Sequence, residues 1–462
     1  VAQRVRDSNP RAELSDVMTA LASRLHIRPL LLTGDWHDID TPAALTHAEM
    51  ALRKRQRQAV MRPAANTPPD PQSCEPTYVF TTGQIAETEV CVSRGAVANV
   101  AAIDLIPLRG ASSPIFVVTD TTVNAIYGDA FVAGLLSRGH TVRRIVLPDG
   151  EAAKSLTKYV ELVERVLALG IDQNSVFVAL GGGAVCNVCG FIASTLYRGV
   201  ELIHVPTTLM AQADAAISHK QGINGARGKN LIGSYYAPSK IIVDVDVLAT
   251  LDDNRFIDGL AEVIKHALGE DPGYLDRLLA YEGDPRDPAF TESLVRRNIE
   301  LKCALMAVDP RERSEGMVLQ YGHTVGHPIE FLSGYSLGHG QAVAIGMVVA
   351  ANVAKALGAC GPELVELHRD VIGRYGLPTC VPASIATRDI LAAMRFNKTF
   401  LREGTRMALV CGPGQLWSVD GQYAIPVPDQ VLREAIDASR LGGTVVRSVW
   451  TEGDVTGTRQ VS

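Results

Sequence analysis

At 462 residues the chain is longer than one hydrophobic core usually serves, so two or three folding units are expected. Hydrophobic residues make up 47% and charged residues 20%, which excludes disorder over most of the length. The net charge of −6 is dispersed without a long basic stripe, which argues against a nucleic-acid partner.

No apolar run reaches the roughly 18 residues needed to cross a bilayer. The polar start, Val1 to Asp16, does not look like a signal peptide. A cytoplasmic protein with no membrane partner is expected.

Residues 1–58 form a first short unit. It has a helix-like stretch near Leu14 to Leu25, an apolar strand at Pro29–Thr33, and a helix start at Thr41-Pro42, where a capping residue precedes a proline. Residues 59–76, rich in proline and small polar residues, read as a linker.

From 77 to 249, short apolar runs alternate with helical patterns: PIFVVTD (114–120), TVRRIVLP (141–148), SVFVALGGG (175–183), ELIHVPTT (201–208) and KIIVDVD (240–246). Continuous Val/Ile/Leu runs separated by helices predict an α/β unit, Rossmann-like, with a largely parallel sheet covered on both faces. From 250 to 440 the pattern turns helical, as in LVRRNIELKCALMAV and AVAIGMVVAANVAKAL, and an all-α domain is expected. The tail, 441–462, has neither period nor turn logic and is expected to fray.

Chemistry-bearing residues gather in few places. LGGGAVCNVCGF (180–191) joins a buried strand to a helix, where backbone amides can approach a pyrophosphate. The spacing is not G-x-G-x-x-G, and a tight turn without a ligand reads equally well. Cys186 and Cys189 are a weak redox signal, and packed, reduced thiols are expected.

RGVELIHVPTTLMAQADAAISHKQGINGARGKNLIG (198–233) collects Arg198, Asp214, Lys220, Lys229 and Asn230 in an apolar frame, which suits a phosphate site better than a solvated loop. Glu262 and Lys265 lie three apart on one helix face, as a surface ion pair would. YGHTVGHPIE (321–330) and LGHGQAVAIGM (337–347), however, put His323, His327 and His339 within 17 residues. One carboxylate with two imidazoles leaves a divalent metal open to substrate, as a catalytic site requires.

GGGAVCNVCGF, YRGVELIHVPTTL, KQGINGARGKNLIG, GLAEVIK, GHTVGH and GHGQAVAIGM stand in the order and spacing of the sugar-phosphate cyclases, the family of 3-dehydroquinate synthase, and the resemblance runs from Cys74 to Arg440. It implies a Rossmann-like NAD domain (77–249) followed by a helical metal domain (250–440). Glu262, His323 and His339 would hold zinc or cobalt.

NAD would lie on Asp120, Glu151, Lys154, Gly182, Gly183, Asn187, Thr207, Thr208, Lys229 and Thr250. Arg198, Asp214, Lys220, Asn230, Lys398 and Gln320 would contact a sugar phosphate, with Lys265, His327, Lys302 and Lys220 in the chemistry. Arg198 would reach a neighbouring subunit's site, which implies a homodimer.

Departures from the family narrow the substrate. Dehydroquinate synthases carry an arginine for the substrate carboxylate where this chain has Gly316. Gln320 and Asn187 replace the usual asparagine and aspartate, and Asn397-Lys398-Thr399 replaces aspartate-lysine-lysine. With ISHKQGIN, YYAPS and QYGHTVGH, these resemble the 2-deoxy-scyllo-inosose synthases, which cyclise glucose 6-phosphate.

A 3-dehydroquinate synthase ranks behind that reading, and the valiolone-type cyclases of sedoheptulose 7-phosphate, which lack His327, rank third. A metal-dependent alcohol dehydrogenase or an inactive cyclase-like subunit are the remaining alternatives. Cys186 and Gln341 stand where glycine and glutamate are usual, and loss of the carboxylate at 341 is expected to loosen the helix of the metal histidine. Separately, Trp36–Pro42 (WHDIDTP) resembles the end of a nucleotidyltransferase domain, a remnant not expected to transfer a nucleotide by itself.

Overall fold

The computed structural model describes residues 86–101, 113–226, 228–395 and 404–440, with the backbone of the strands at 62–63, 78–82 and 400–401. The nucleotidyltransferase-like remnant, most of the expected linker, Lys398 and the tail lie outside the described residues. The described residues belong to one compact unit, Arg57–Ser462.

The first half is built on an eight-stranded sheet. Strands β1 (Arg62–Pro63) and β2 (Tyr78–Thr82) form an antiparallel edge on β3 (Ala86–Ser93). Two residues of the expected linker thus pair with the sheet. Next come β4 (Ile115–Asp120), β5 (Val142–Leu147), β6 (Val176–Gly181) and β7 (Glu201–Pro206). An antiparallel hairpin, β8 (Lys220–Gly225) and β9 (Gly228–Tyr235), stands outside the sheet before β10 (Lys240–Asp244).

The order β3-β10-β7-β6-β4-β5 is parallel throughout, as the apolar runs predict. Every residue of β4 and β6 is buried, the signature of a strand covered on both faces. β5 lies at the edge, where exposed Arg143 and Arg144 discourage further pairing.

Helices α1 (Asp129–Ser137), α2 (Leu156–Ala168) and α3 (Gly183–Thr195) belong to this half. At the start of α3 the glycines are needed for close approach. A Cβ on Gly181 would stand 2.6 Å from Val185, and one on Gly182 would stand 3.0 Å from Thr208. Cys186 and Cys189 are fully buried inside α3, and burial pushes the Cys186 thiol up to about 12, so both act as core residues.

The second half contains α4 (Asp253–Glu270), α5 (Pro272–Ala280), α6 (Pro288–Val308), α7 (His323–Leu332), α8 (His339–Ala356), α9 (Pro362–Arg374), α10 (Thr387–Met394) and α11 (Asp429–Ala438). Asp252, Asp271 and Asp287 cap the first three by accepting the N–H of Arg255, Tyr274 and Phe290. Helix α8 is buried almost all round, which makes it the axis of this half.

The half is not purely helical. Short strands β11 (Phe400–Leu401), β12 (Gly404–Met407), β13 (Val410–Gly412), β14 (Gln415–Leu416) and β15 (Ile425–Val427) form small antiparallel sheets. Their apolar runs are only a few residues long, too short for a helical period to be told from a strand. Among the described residues no helix is long and apolar enough to cross a membrane.

The imidazoles of His204 and His368 are buried in neutral form. His204 on β7 and His368 on α9 are fully enclosed, and burial pulls both down to about 4. Between pH 6.5 and 4 the unfolded chain therefore binds protons that the folded chain does not. Their contribution is complete above pH 6.5 and declines as pH falls to 4, by about 1.4 kcal/mol per pH unit for each imidazole. Denaturant midpoints measured at pH 7 and pH 5 should show this loss; equal midpoints would contradict it.

Candidate active site

A cavity of about 910 Å³ opens at the C-terminal ends of β5, β6 and β7, where parallel sheets bind ligands. Its lining includes Glu151, Lys154, Gly183, Asn187, Asp214, Lys220, Lys229, Asn230, Lys302, Gln320, His323, His327 and His339. Residues expected from distant parts of the sequence thus meet in one place. Glu262 and Lys265 lie just behind the wall, fully buried and in contact with that set.

The α/β half supplies three pieces. The loop after β5 carries Glu151 and Lys154. Lys154 Nζ donates to Asn187 Oδ1 (3.0 Å) and Asn230 Oδ1 (2.5 Å), and burial, only partly offset by Glu151, lowers its pKa to about 8. Helix α3 has Gly182 as its N-cap and no side-chain capping bond, which leaves its first N–H groups without a side-chain acceptor. After β7, the π-turn Ala211–Ala215 aims Asp214 inward.

Lys302 donates to Asp214 Oδ1 at 2.5 Å, and Lys265 lies 3.4 Å from the same oxygen. Despite burial, these two ammonium groups hold Asp214 well below the usual carboxylate range.

The helical half supplies a carboxylate and three imidazoles. Glu262 Oε1 is fully buried and accepts no hydrogen bond, while Oε2 is held by Lys265. His323 Nε2 lies 3.4 Å and His339 Nε2 3.7 Å from Glu262 Oε1. His323 Nδ1 donates to Tyr321 O (3.0 Å) and His339 Nδ1 donates to Glu330 Oε2 (2.9 Å). Both Nε2 atoms are thereby turned toward the orphaned oxygen.

That convergence of one anionic oxygen and two imidazoles fits a divalent cation. His327 completes a group of three imidazoles with ligand atoms within 4.8 Å of one another. Burial pulls on all three. His327 falls well below its ordinary value, with His323 and His339 adding to the effect, whereas at His339 the carboxylates Glu330 and Glu262 outweigh burial and raise it to about 9.

Other expected residues stand apart. Asp120 is buried at the end of β4 and accepts the Val123 N–H (2.8 Å), and Thr250 is exposed with its hydroxyl 2.8 Å from Tyr127 Oη. Gly182, Thr207 and Thr208 form the turn beneath α3 rather than the wall. Arg198 is exposed on a left-handed turn, with φ 50° at Tyr197, 64° at Arg198 and 127° at Gly199, and does not line its own chain's cavity.

Three carboxylates were not anticipated. Glu330 was visible within YGHTVGHPIE, three residues after His327 and so on its helix face. Glu312, buried with φ 54°, lines the cavity and accepts from Lys220 and Gln320. Asp258, on α4, accepts the Gln341 N–H at 2.8 Å, while Gln341 Oε1 accepts the Gly338 N–H at 3.0 Å. The glutamine therefore keeps a capping interaction at the start of α8, and Asp258 supplies a carboxylate there.

A nucleotide-type parallel sheet facing a helix-borne carboxylate and imidazole cluster across a lysine-rich cavity defines a class: two-part α/β and helical enzymes of the dehydroquinate-synthase type. Residues 144–258 match the 3-dehydroquinate synthase N-terminal family and residues 259–400 its C-terminal family. A 2-deoxy-scyllo-inosose synthase of Streptomyces lividus is 38% identical over 71% of this chain and 87% of that protein. A 3-dehydroquinate synthase of Pelobacter propionicus (strain DSM 2379 / NBRC 103807 / OttBd1) is 40% identical over 60% of this chain and 78% of its own.

A crystal structure of 2-deoxy-scyllo-inosose synthase with carbaglucose-6-phosphate, NAD+ and Co2+ superposes with a TM-score of 0.69 at 26% identity, covering 78% of this chain and 99% of that one. The chain belongs to the 3-dehydroquinate synthase family of sugar-phosphate cyclases.

Proposed function

We propose that this chain is a lyase that converts glucose 6-phosphate to 2-deoxy-scyllo-inosose with release of phosphate, using NAD and a zinc or cobalt ion. The observation that carries the choice of substrate is the loop around Gly316, which brings Glu312 to the cavity. Asp309 accepts the N–H groups of Arg313 (3.0 Å), Ser314 (2.7 Å) and Gly316 (3.0 Å), and a Cβ on Gly316 would stand 2.8 Å from its Oδ2. In place of an arginine, this loop turns the Glu312 carboxylate into the cavity.

Charge balance agrees. The ammonium groups of Lys220, Lys229, Lys265 and Lys302 pair with the carboxylates of Glu151, Asp214, Glu262, Glu312 and Glu330, while Lys154 donates to the amide oxygens of Asn187 and Asn230. A divalent cation and a phosphate dianion would also match each other. With Gly316 in place of an arginine, a substrate carboxylate would lose its bidentate partner, and a poorly compensated buried charge costs several kcal/mol.

Glu262, His323 and His339 would hold the metal, and Glu151, Lys154, Asn187, Lys229 and the start of α3 the dinucleotide. When bound, the pair supplies hydride removal and return together with polarisation of the reacting hydroxyl and ketone. Lys220 and Asn230 face the phosphate, with Arg198 of a second copy reaching it in a homodimer. Lys265, Asp214 and Lys302 form a fixed row that orients ring hydroxyls. His327, kept neutral by burial, would stand beside the substrate.

The test is phosphate release by purified protein with NAD+ and Co2+ on glucose 6-phosphate, sedoheptulose 7-phosphate and the seven-carbon keto-acid phosphate of dehydroquinate synthases. Release from glucose 6-phosphate at a rate at least about a hundredfold above the keto acid is expected, since each 1.4 kcal/mol of lost pairing is tenfold. A preference for the keto acid would overturn the substrate, and release from none would overturn the activity.

A further inference from the structure

Lys229 stands between the two groups of residues that the proposed reading gives to different ligands. Its side chain is 9% exposed, and its ammonium pairs with Glu151 Oε1 at 3.1 Å and with Glu330 Oε1. Glu151 belongs to the loop after β5, on the dinucleotide side, and also accepts from Asn224 Nδ2 at 2.7 Å. Glu330 belongs to α7, with its side chain 4% exposed, and its other oxygen accepts the Nδ1–H of His339. An unbroken line of carboxylate, ammonium, carboxylate and imidazole thus runs from the α/β half, through the β8–β9 hairpin, to an expected metal ligand.

In so buried a line a charge withdrawn at one end is felt at the other, because little solvent screens it. A carboxylate that accepts the Nδ1–H of a histidine fixes its orientation and strengthens Nε2 as a donor. An ammonium on the same carboxylate weakens that effect by neutralising it. Lys229 therefore opposes the hold of Glu330 on His339 whenever its charge is directed to Glu330.

We infer that Lys229 couples the dinucleotide and metal sites: a dinucleotide that engages Lys229 draws it off Glu330, Glu330 then braces His339 fully, and the two ligands bind with positive cooperativity. This rests on the reading that the cavity takes both ligands. Reciprocity requires that the metal tighten the dinucleotide by the same factor.

The test is a Co2+ titration of the full chain, followed by visible absorbance of the bound ion, with and without saturating NAD+. In the unmodified protein NAD+ should tighten Co2+ about tenfold, within the usual range of coupling between sites. Lys229→Met should bind Co2+ without NAD+ as tightly as the NAD+-loaded parent and lose the response. Glu330→Gln, nearly isosteric, should weaken Co2+ by about 10- to 100-fold and lose the response too, which keeps the test available if Lys229→Met does not fold.

A parent ratio of one, or the parent's full ratio persisting in either variant, would overturn the coupling. If the parent binds neither Co2+ nor NAD+, the reading of the cavity itself falls and the coupling with it. Binding of both without cooperativity sinks the coupling alone.

Discussion

Glu262→Gln should abolish phosphate release and weaken Zn2+ or Co2+ binding by about a hundred- to a thousandfold. The carboxylate is fully buried, one oxygen is held by Lys265, and the other faces His323 and His339 without a hydrogen bond. A glutamine keeps the shape and removes the charge. Taking one partner from a buried charge cluster costs about 3–5 kcal/mol, and each 1.4 kcal/mol is tenfold in affinity. Metal titration beside a circular-dichroism check of the fold would measure it. Retention of parental metal affinity in a folded variant would remove Glu262 from the donor set.

Gly346→Ala should damage stability and the site together. Gly346 lies on α8 against the start of α7, and a Cβ there would stand 2.0 Å from Gly322 O and 2.9 Å from Gly326 N. Backbone cannot move aside as a flexible side chain can, so the helices must separate, at about 1–3 kcal/mol or more. Gly322 has φ 78° and immediately precedes His323, so the displacement reaches the imidazole.

A shift of about 1 Å at a catalytic group costs on the order of a hundredfold in rate. The control is Gly373→Ala on α9, whose Cβ would meet nothing within 4 Å. That change should be neutral or stabilising by up to about 1 kcal/mol. Equal denaturant midpoints for the two variants would refute the packing argument.

Much of this architecture could be read from residues alone because the signals were local. Five apolar runs became parallel strands, and the continuous ones, β4 and β6, are those covered on both faces. GHTVGH and GHGQ carried their histidines on adjacent helices. The carboxylates that complete the site were harder.

Glu312 depends on a left-handed backbone and on a loop knotted around Asp309, which no periodicity announces. Asp258 was hidden because its effect falls on a helix start some eighty residues away. The reading of Gln341 as a weakness assumed that the carboxylate at that helix must come from the helix itself. The small strands between 400 and 427 were missed because their runs are shorter than either period can resolve.

The Asp258 brace has a mechanical meaning. Asp258 and Glu262 are one turn apart on α4, so a single rigid element carries the carboxylate that faces His339 and the carboxylate that fixes the start of the helix bearing it. The separation of Glu262 from His339 is thus set by one helix pair, like two holes drilled in the same plate.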